Sequence, residues 1–274
     1  MQALKIELEG VTTSFRYPHI LIGRQPSYPL PPPATIYGHI ASALGEYPAP
    51  DSFKFAYTFT HAGSVDDYEH TWFVREANAE GLKKFKEDMG SAEKKRFSAF
   101  QKNHDVNIAG GINPTVREML FQPRLTLYLD RTDWLEAFRT PAFLVLLGRS
   151  QDLAAYTRVE VVELEERQAG YFDHCLLPFD PWRPRVGLGQ GLLMPRHIDP
   201  QDRQHVTWAR YVALTHRAFL PREGERGNEP QLIRGVPEGF RVWVDPSTEE
   251  RRGRQRALEW LTVQGGGEAI ELPS

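Results

Sequence analysis

Leu4, Ile6 and Leu8 alternate with Lys5, Glu7 and Glu9 and stop at Gly10, the period-two pattern of a strand with one buried face. From Thr12 to Leu30 the pattern breaks among Pro and Gly, and the stretch reads as a long loop. At Pro33 the period changes. Ile36, Ile40 and Leu44 recur every four residues beside Ala41 and Ala43, and Gly45 follows, so the spacing predicts one amphipathic helix opened by Pro33 and closed by the glycine. Proline suits a first helical turn because its φ is already helical and it has no N–H to leave unpaired. Further on, FKFAYTFTH (53–61) and YEHTWFVR (68–75) read as two strands of a hairpin joined through AGSVDD. Residues 76–112 keep no clear period and read as an insertion, either a weakly packed helix or a mobile excursion. RLTLYLD (124–130) alternates as a strand. TDWLEAFR (132–139) reads as a short helix capped by Thr132 or Asp133, AFLVLLG (142–148) as a buried strand, and VEVVELEE (159–166) as one strand more.

The order strand, helix, hairpin, insertion, strand, helix, strand, strand predicts an α+β chain. It lies close to the split β-α-β plan of ferredoxin-like and RNA-recognition folds, an antiparallel sheet with helices on one face. Beyond Gly170 the pattern is less regular. Residues 178–196 are dense in Pro, Gly and Arg and suit a linker or an irregular binding surface. HVTWARYVALTHRAF (205–219) fits a helix or a strand, and RVWV (241–244) fits a strand. The expected division is a domain at 1–170, with its insertion at about 76–112, and a β-rich C-terminal extension or small second domain at 171–274.

Composition narrows the class. With 274 residues, 41% hydrophobic and 25% charged, the chain can bury a core without covalent staples. The single cysteine, Cys175, excludes an intramolecular disulfide framework and a Cys-based zinc site, and fits a reducing compartment. MQALKIELEG alternates where a secretory signal would be basic and then apolar, and AFLVLLG is too short to span a bilayer. A cytoplasmic protein with no membrane partner is the expectation. The net charge of −3 speaks against an indiscriminate nucleic-acid coat, yet the charge is unevenly placed. Residues 81–117 carry eight basic against four acidic residues, and 151–180 carry two basic against seven acidic. Such runs also occur as solvated helix or strand faces.

Two segments have the chemistry to meet a phosphate backbone. The loop holds Phe15, Arg16, Tyr17, Arg24 and Tyr28, cations and flat rings able to contact phosphates and stack on bases; ordinary aromatics packed into the core are the alternative. The helix start after Pro31, Pro32 and Pro33 offers N–H groups and the positive end of a dipole, for which a phosphate is one guest. Proline-rich loops also stiffen folds that bind nothing.

Four pieces stand in order: FRYPHILIGRQPSYPLPPPATIYGHIASALGE, the run ending in HTWF, NPTVREMLFQPRLTLYLD, and PAFLVLLGRSQDL. Together they make residues 1–166 resemble the CRISPR-associated Cascade subunit that holds the 5′ handle of the guide RNA. That subunit belongs to the repeat-associated mysterious protein superfamily of type I systems, and the I-B branch is the one this chain resembles. The resemblance fades in the last third. It implies a ferredoxin-like domain with a protruding thumb and no catalytic role. The implied partners are crRNA, the repeated backbone subunits, the large subunit and, indirectly, target DNA read by the guide. Carried onto this chain, the handle-facing residues are Arg16, Tyr17, Arg24, Ser27 and Tyr28, the helix start Ala34, Thr35 and Ile36, and the adjacent Tyr37, Gly38 and His39. Gly38 would let another backbone approach closely. Arg149 and Ser150 of LGRS recur in the same motif, although Arg149 fits a structural ion pair equally well. The thumb falls on Lys83, Lys84, Lys86, Lys94, Lys95, Arg96 and Lys102.

Some relatives of that family cut repeat RNA without metal, using a base, a cation and a Tyr or His together. Tyr47, Lys102 and His104 are the materials here, at positions that do not form a tight basic-histidine cluster. VGLGQGLL places Gly187, Gly189 and Gly191 in a G-x-G-x-G run. Pro178, Pro181, Pro184 and Pro195 deny it the strand-turn-helix setting of a dinucleotide fingerprint, leaving a loop that approaches RNA or a partner, or plain turn glycines. His104–Asp105 lacks further ligands at helical spacing, His174 stands beside Cys175, His197 and His205 are eight apart, and His70 shares a strand face with Trp72. No metal and no cofactor is expected.

Overall fold

The computed structural model describes residues 1–20, 23–76, 79–87, 89–102, 107–222, 225 and 229–264. They form two compact units, a larger one of Met1–Tyr17, Pro26–Val65 and Met119–Ser274 and a smaller one of Pro18–Gln25 and Asp66–Glu118. The larger unit runs through residue 170 without a break.

The larger unit is mixed α+β and rich in sheet. Strand β1 (Gln2–Gly10) is followed by helix α1 (Pro33–Leu44), strands β2 (Phe55–Thr60) and β3 (Arg124–Leu129), helix α2 (Leu135–Arg139) and strand β4 (Ala154–Glu163). The sheet order is β2-β3-β1-β4 with each neighbouring pair antiparallel; Leu4 lies between Leu129 and Val161, and Tyr57 lies opposite Leu127. The period-two pattern sorts this sheet into two faces. Leu4, Ile6, Leu8, Leu125, Leu127 and Leu129 join Ile36 and Ile40 of α1 and Phe138 of α2 in the main core. Ala3, Ala56 and Tyr128 point the other way, into a smaller cluster with Leu164 and Leu258.

The last third supplies that second cover. Strands β5 (Glu165–Arg167), β6 (Tyr171–Asp173), β7 (Leu176–Pro178), β8 (Gln190–Ile198), β9 (Val206–Ala213), β10 (Arg217–Phe219), β11 (Val242–Asp245) and β12 (Arg256–Leu258) form two sheets, β10-β6-β12-β11-β5 and β7-β9-β8. A one-turn helix α3 (Phe179–Trp182) follows β7. Met194, Ala209, Tyr211 and Leu261 belong to the main core itself. Residues 178–196, expected as a linker or an irregular surface, hold a helical turn and the start of a long strand with irregular turns between them at 183–189, and 206–213 is strand in place of the helix its spacing also allowed.

Two further expectations change. The strands 53–61 and 68–75 do not form a hairpin: β2 pairs with β3, whereas Gly63–Glu76 runs straight through the supposed turn and pairs with Asn107–Phe121. The turn residues of AGSVDD misled because the strand there is exposed on most positions, which removes the need for apolar alternation. AFLVLLG is not a buried strand, since Phe143 and Leu144 are exposed and only Leu147 is buried in that run.

In the smaller unit, the described helices Ala79–Glu87 and Ser91–Gln101 follow one another between the paired strands, and Arg24–Gln25 adds a short parallel segment against Val116–Arg117. The second helix is closed at its start by Glu93, whose carboxylate accepts the Gly90 N–H at 3.0 Å.

Candidate nucleic-acid interface

The proline run is a packing device. Pro31, Pro32 and Pro33 are all buried, and the Tyr57 hydroxyl donates to the Pro31 carbonyl at 2.6 Å. The Pro32 carbonyl accepts the N–H groups of Thr35 (2.8 Å) and Ile36 (3.2 Å), and Pro33 has none, so the first turn leaves only the Ala34 N–H without such a bond. At the other end Gly45, at φ 83°, returns its N–H to Ala41.

Several residues expected to face a ligand turn inward. Ser27 accepts the Phe15 N–H at 2.9 Å and donates to the Tyr28 carbonyl at 3.0 Å. Tyr28 is buried, stacks on Tyr17 with centroids 3.7 Å apart, and donates its hydroxyl to the Leu193 carbonyl at 2.9 Å. Burial pushes that hydroxyl's pKa up. Ile36 and Tyr37 are core residues, the latter donating to the Pro48 carbonyl at 2.7 Å. His39 is buried with both ring nitrogens engaged, Nδ1 on the Leu146 carbonyl at 2.8 Å and Nε2 on the Tyr156 hydroxyl at 2.9 Å. Because a carbonyl can only accept, Nδ1 carries the proton and Nε2 receives the Tyr156 O–H. Burial, working against the Leu146 bond, lowers the pKa of this imidazole. A helix face made of Ile36, Tyr37, His39 and Ile40 reads the same in sequence whether it meets a ligand or a core.

LGRS is held from inside. Arg149 forms a two-pronged pair with the buried Asp152, Nε and Nη2 each 2.9 Å from a carboxylate oxygen, and its backbone N–H meets the same group at 3.1 Å. Thr12 donates to that carboxylate from the other side at 3.1 Å. The structural ion pair considered from the sequence is what the structure contains, while Ser150 beside it is exposed.

The glycine run is likewise structural. A Cβ on Gly189 would lie 2.1 Å from Val212, and one on Gly191 would lie 2.9 Å from the Phe179 ring, so both glycines let the β8–β9 ribbon close against its neighbours. A Cβ on Gly187 would lie a less severe 3.3 Å from the Pro230 carbonyl.

What stays open to solvent in the larger unit is narrower: Arg16 is exposed, and Ala34, Thr35 and Gly38 are half-buried. Tyr47 is exposed beside Tyr37, with centroids 5.6 Å apart. In the smaller unit Arg24 is exposed but ion-paired, 3.0 Å from Asp66 and 3.7 Å from Glu118. Lys84 pairs with Glu80 at 3.5 Å, and Lys86 lies 5.4 Å over the Phe97 ring, which packs on Phe85. Lys83, Lys94, Lys95, Arg96 and Lys102 are exposed and have no acidic partner among the described residues. Exposed Phe85 and Phe100 stand among them. This mixture of solvated cations and accessible rings has the chemistry of a single-strand RNA surface.

Of the possible cleaving set, Tyr47 belongs to the larger unit and Lys102 to the smaller, and His104 lies outside the described residues. Cys175 is buried and its thiol is pushed up by burial, the opposite of an activated nucleophile. Among the described residues no cluster of His, Cys, Asp and Glu could hold a metal ion, and no helix is long and apolar enough to cross a membrane.

No family model matches the chain, and no curated protein sequence does. Among solved structures it is similar to a CRISPR RNA-guided surveillance complex chain at 14% identity, over 79% of this chain and 88% of that one, with a TM-score of 0.46. A CRISPR protein from Archaeoglobus fulgidus is similar at 10% identity over 94% and 98%, TM-score 0.45. A chain of the Type III-B Cmr-beta complex bound to cognate target RNA and AMPPnP is similar at 13% identity over 79% and 85%, TM-score 0.41. At TM-scores below 0.5 these likenesses leave function to the chain's own residues.

Proposed function

We propose that this protein is a non-catalytic RNA-binding subunit of a type I CRISPR surveillance complex, holding the repeat-derived 5′ handle of crRNA and docking the backbone and large subunits. The observation that carries the reading is the group of exposed cations with no acidic partner among the described residues, Lys83, Lys94, Lys95, Arg96 and Lys102, in a chain whose net charge is −3. Such a local concentration of positive charge beside exposed rings favours a phosphate backbone with unpaired bases. The sheet order β2-β3-β1-β4, with α1 and α2 as its connections, supports the ferredoxin-like reading. In the larger unit Arg16 is the exposed candidate for phosphate contact, and the two helices of the smaller unit act as the thumb.

Purifying the protein from its native cell with whatever accompanies it, then sequencing the 5′ ends of the bound RNA, tests this. Short RNAs sharing one repeat-derived end, with stoichiometric partner proteins, are the expected result. No RNA, or RNA with random ends, overturns it. Incubating repeat RNA with the protein in EDTA separates the binding role from metal-independent cleavage by Tyr47, Lys102 and His104, for which intact RNA is the expected outcome.

A further inference from the structure

The last third of the chain contains a cavity that the RNA-binding reading leaves unused. Pro181, Trp182, Val236, Pro237, Phe240 and Glu259 line it, and its volume is about 210 Å³. Trp182 and Phe240 meet edge to face with centroids 5.9 Å apart, so aromatic surface makes up much of the wall. Glu259 follows β12 directly, and Trp182 offsets part of the effect of burial on its carboxyl. Among the described residues no lysine or arginine pairs with it. Arg185 is on the same wall, but its guanidinium donates to the Gly235 carbonyl at 3.1 Å and to the Pro181 carbonyl. Buried Cys175 is the other titratable group that feels Glu259. The turn from Pro237 to Phe240, closed by a 3.2 Å backbone bond, adds exposed Glu238.

A carboxylate set among aromatic and proline surface with no cation paired to it is costly to keep ionised, and burial raises the Glu259 pKa accordingly. The missing partner is defined by the walls. An alkyl stem matches the proline and valine surface, a positive head matches the ring faces, and an N–H donor matches the carboxylate. The same carboxylate, when ionised, repels phosphate-bearing ligands. We propose that this pocket is a docking site for a basic side chain, lysine or arginine, presented by a partner protein.

The test uses the full chain with 15N-labelled tryptophan, whose six indole signals include Trp182, assigned by Trp182→Phe. Nα-acetyl-lysine methylamide and Nα-acetyl-arginine methylamide are titrated as probes against the uncharged, similarly sized Nα-acetyl-norleucine methylamide. A saturable shift of the Trp182 signal with the basic amides, absent with norleucine and weakened about tenfold or more by Glu259→Gln, is the expected result. If that variant does not fold, lowering the pH on the unmodified protein protonates Glu259 and should weaken the basic amides alone. No saturable shift, an equal response to norleucine, indifference to both Glu259→Gln and pH, or a shift produced instead by cytidine monophosphate would overturn the proposal.

Discussion

Gly148 shows how one position fixes a loop. It sits at φ 95°, and a Cβ there would lie 2.4 Å from Thr13 Oγ1, the atom that donates to the Leu147 carbonyl. Gly148→Ala therefore combines left-handed strain with a clash against backbone-bound Thr13, and a loss of about 1–3 kcal/mol is expected in urea unfolding. An unchanged midpoint would mean the turn relaxes freely. His39 makes a pH-dependent contribution of definite sign. Its folded pKa lies below the unfolded value, so the unfolded chain takes up the proton first, and the stabilisation is present above about pH 6.5 and is lost as pH falls through the folded value. Between about pH 7.5 and about pH 5.5 the urea midpoint should fall further for the natural protein than for His39→Gln; equal falls would show that His39 is not the group responsible. Both residues were visible in the sequence, but their roles were not. A histidine inside IYGHIASAL has the same local pattern whether its ring meets RNA or, as here, a carbonyl and a tyrosine hydroxyl more than a hundred residues away.

At the scale of elements, legibility followed local pattern. β1 alternates Leu4, Ile6 and Leu8, and the structure buries all three; α1 starts at Pro33 and stops before Gly45 as its period and punctuation predicted. Strand pairing was less legible, because register is set by partners distant in sequence: the aromatic run 53–61 has its neighbour at 124–129, beyond the whole smaller unit. AFLVLLG shows a different failure, an apolar run whose Phe143 and Leu144 face solvent. In the smaller unit the charge run was legible as charge, and the structure adds which cations have no acidic partner among the described residues. Replacing Lys94, Lys95 and Arg96 together by Ala should weaken binding to single-stranded repeat RNA and lower the slope of log affinity against log salt by about 0.7 for each phosphate the variant no longer neutralises. Weaker binding with an unchanged slope would assign these residues to folding instead of phosphate recognition. Arg24, already ion-paired with Asp66, should matter less to that slope than Arg16.

Across the whole larger unit, one buried polar group ties the first strand to the last third. Asp245 is fully buried and accepts from Lys5 Nζ at 2.9 Å, from the Tyr128 hydroxyl at 2.8 Å and from Ser247 at 2.6 Å. Burial alone would raise its pKa; the bonds from Ser247, Lys5 and Tyr128 outweigh that and hold it below the usual carboxylate range. Asp245→Ala would leave the Lys5 ammonium buried without its closest counter-charge, and a loss of about 3–5 kcal/mol is expected in denaturant unfolding. Lys5→Met with Asp245→Leu should recover much of it, which separates an unpaired charge from a simple packing defect. Lys5 occupies a polar slot of the alternating pattern in β1 and reads as a solvent-facing residue, because nothing near it in sequence reveals the carboxylate that covers it.

That pairing joins residues 240 positions apart. During synthesis at about 5–20 residues per second, Lys5 emerges roughly 10–50 s before Asp245 does. Until then the back of the nascent sheet has neither its counter-charge nor its apolar cover, so its surface is available to a chaperone for much of translation and is withdrawn only when the final strands arrive.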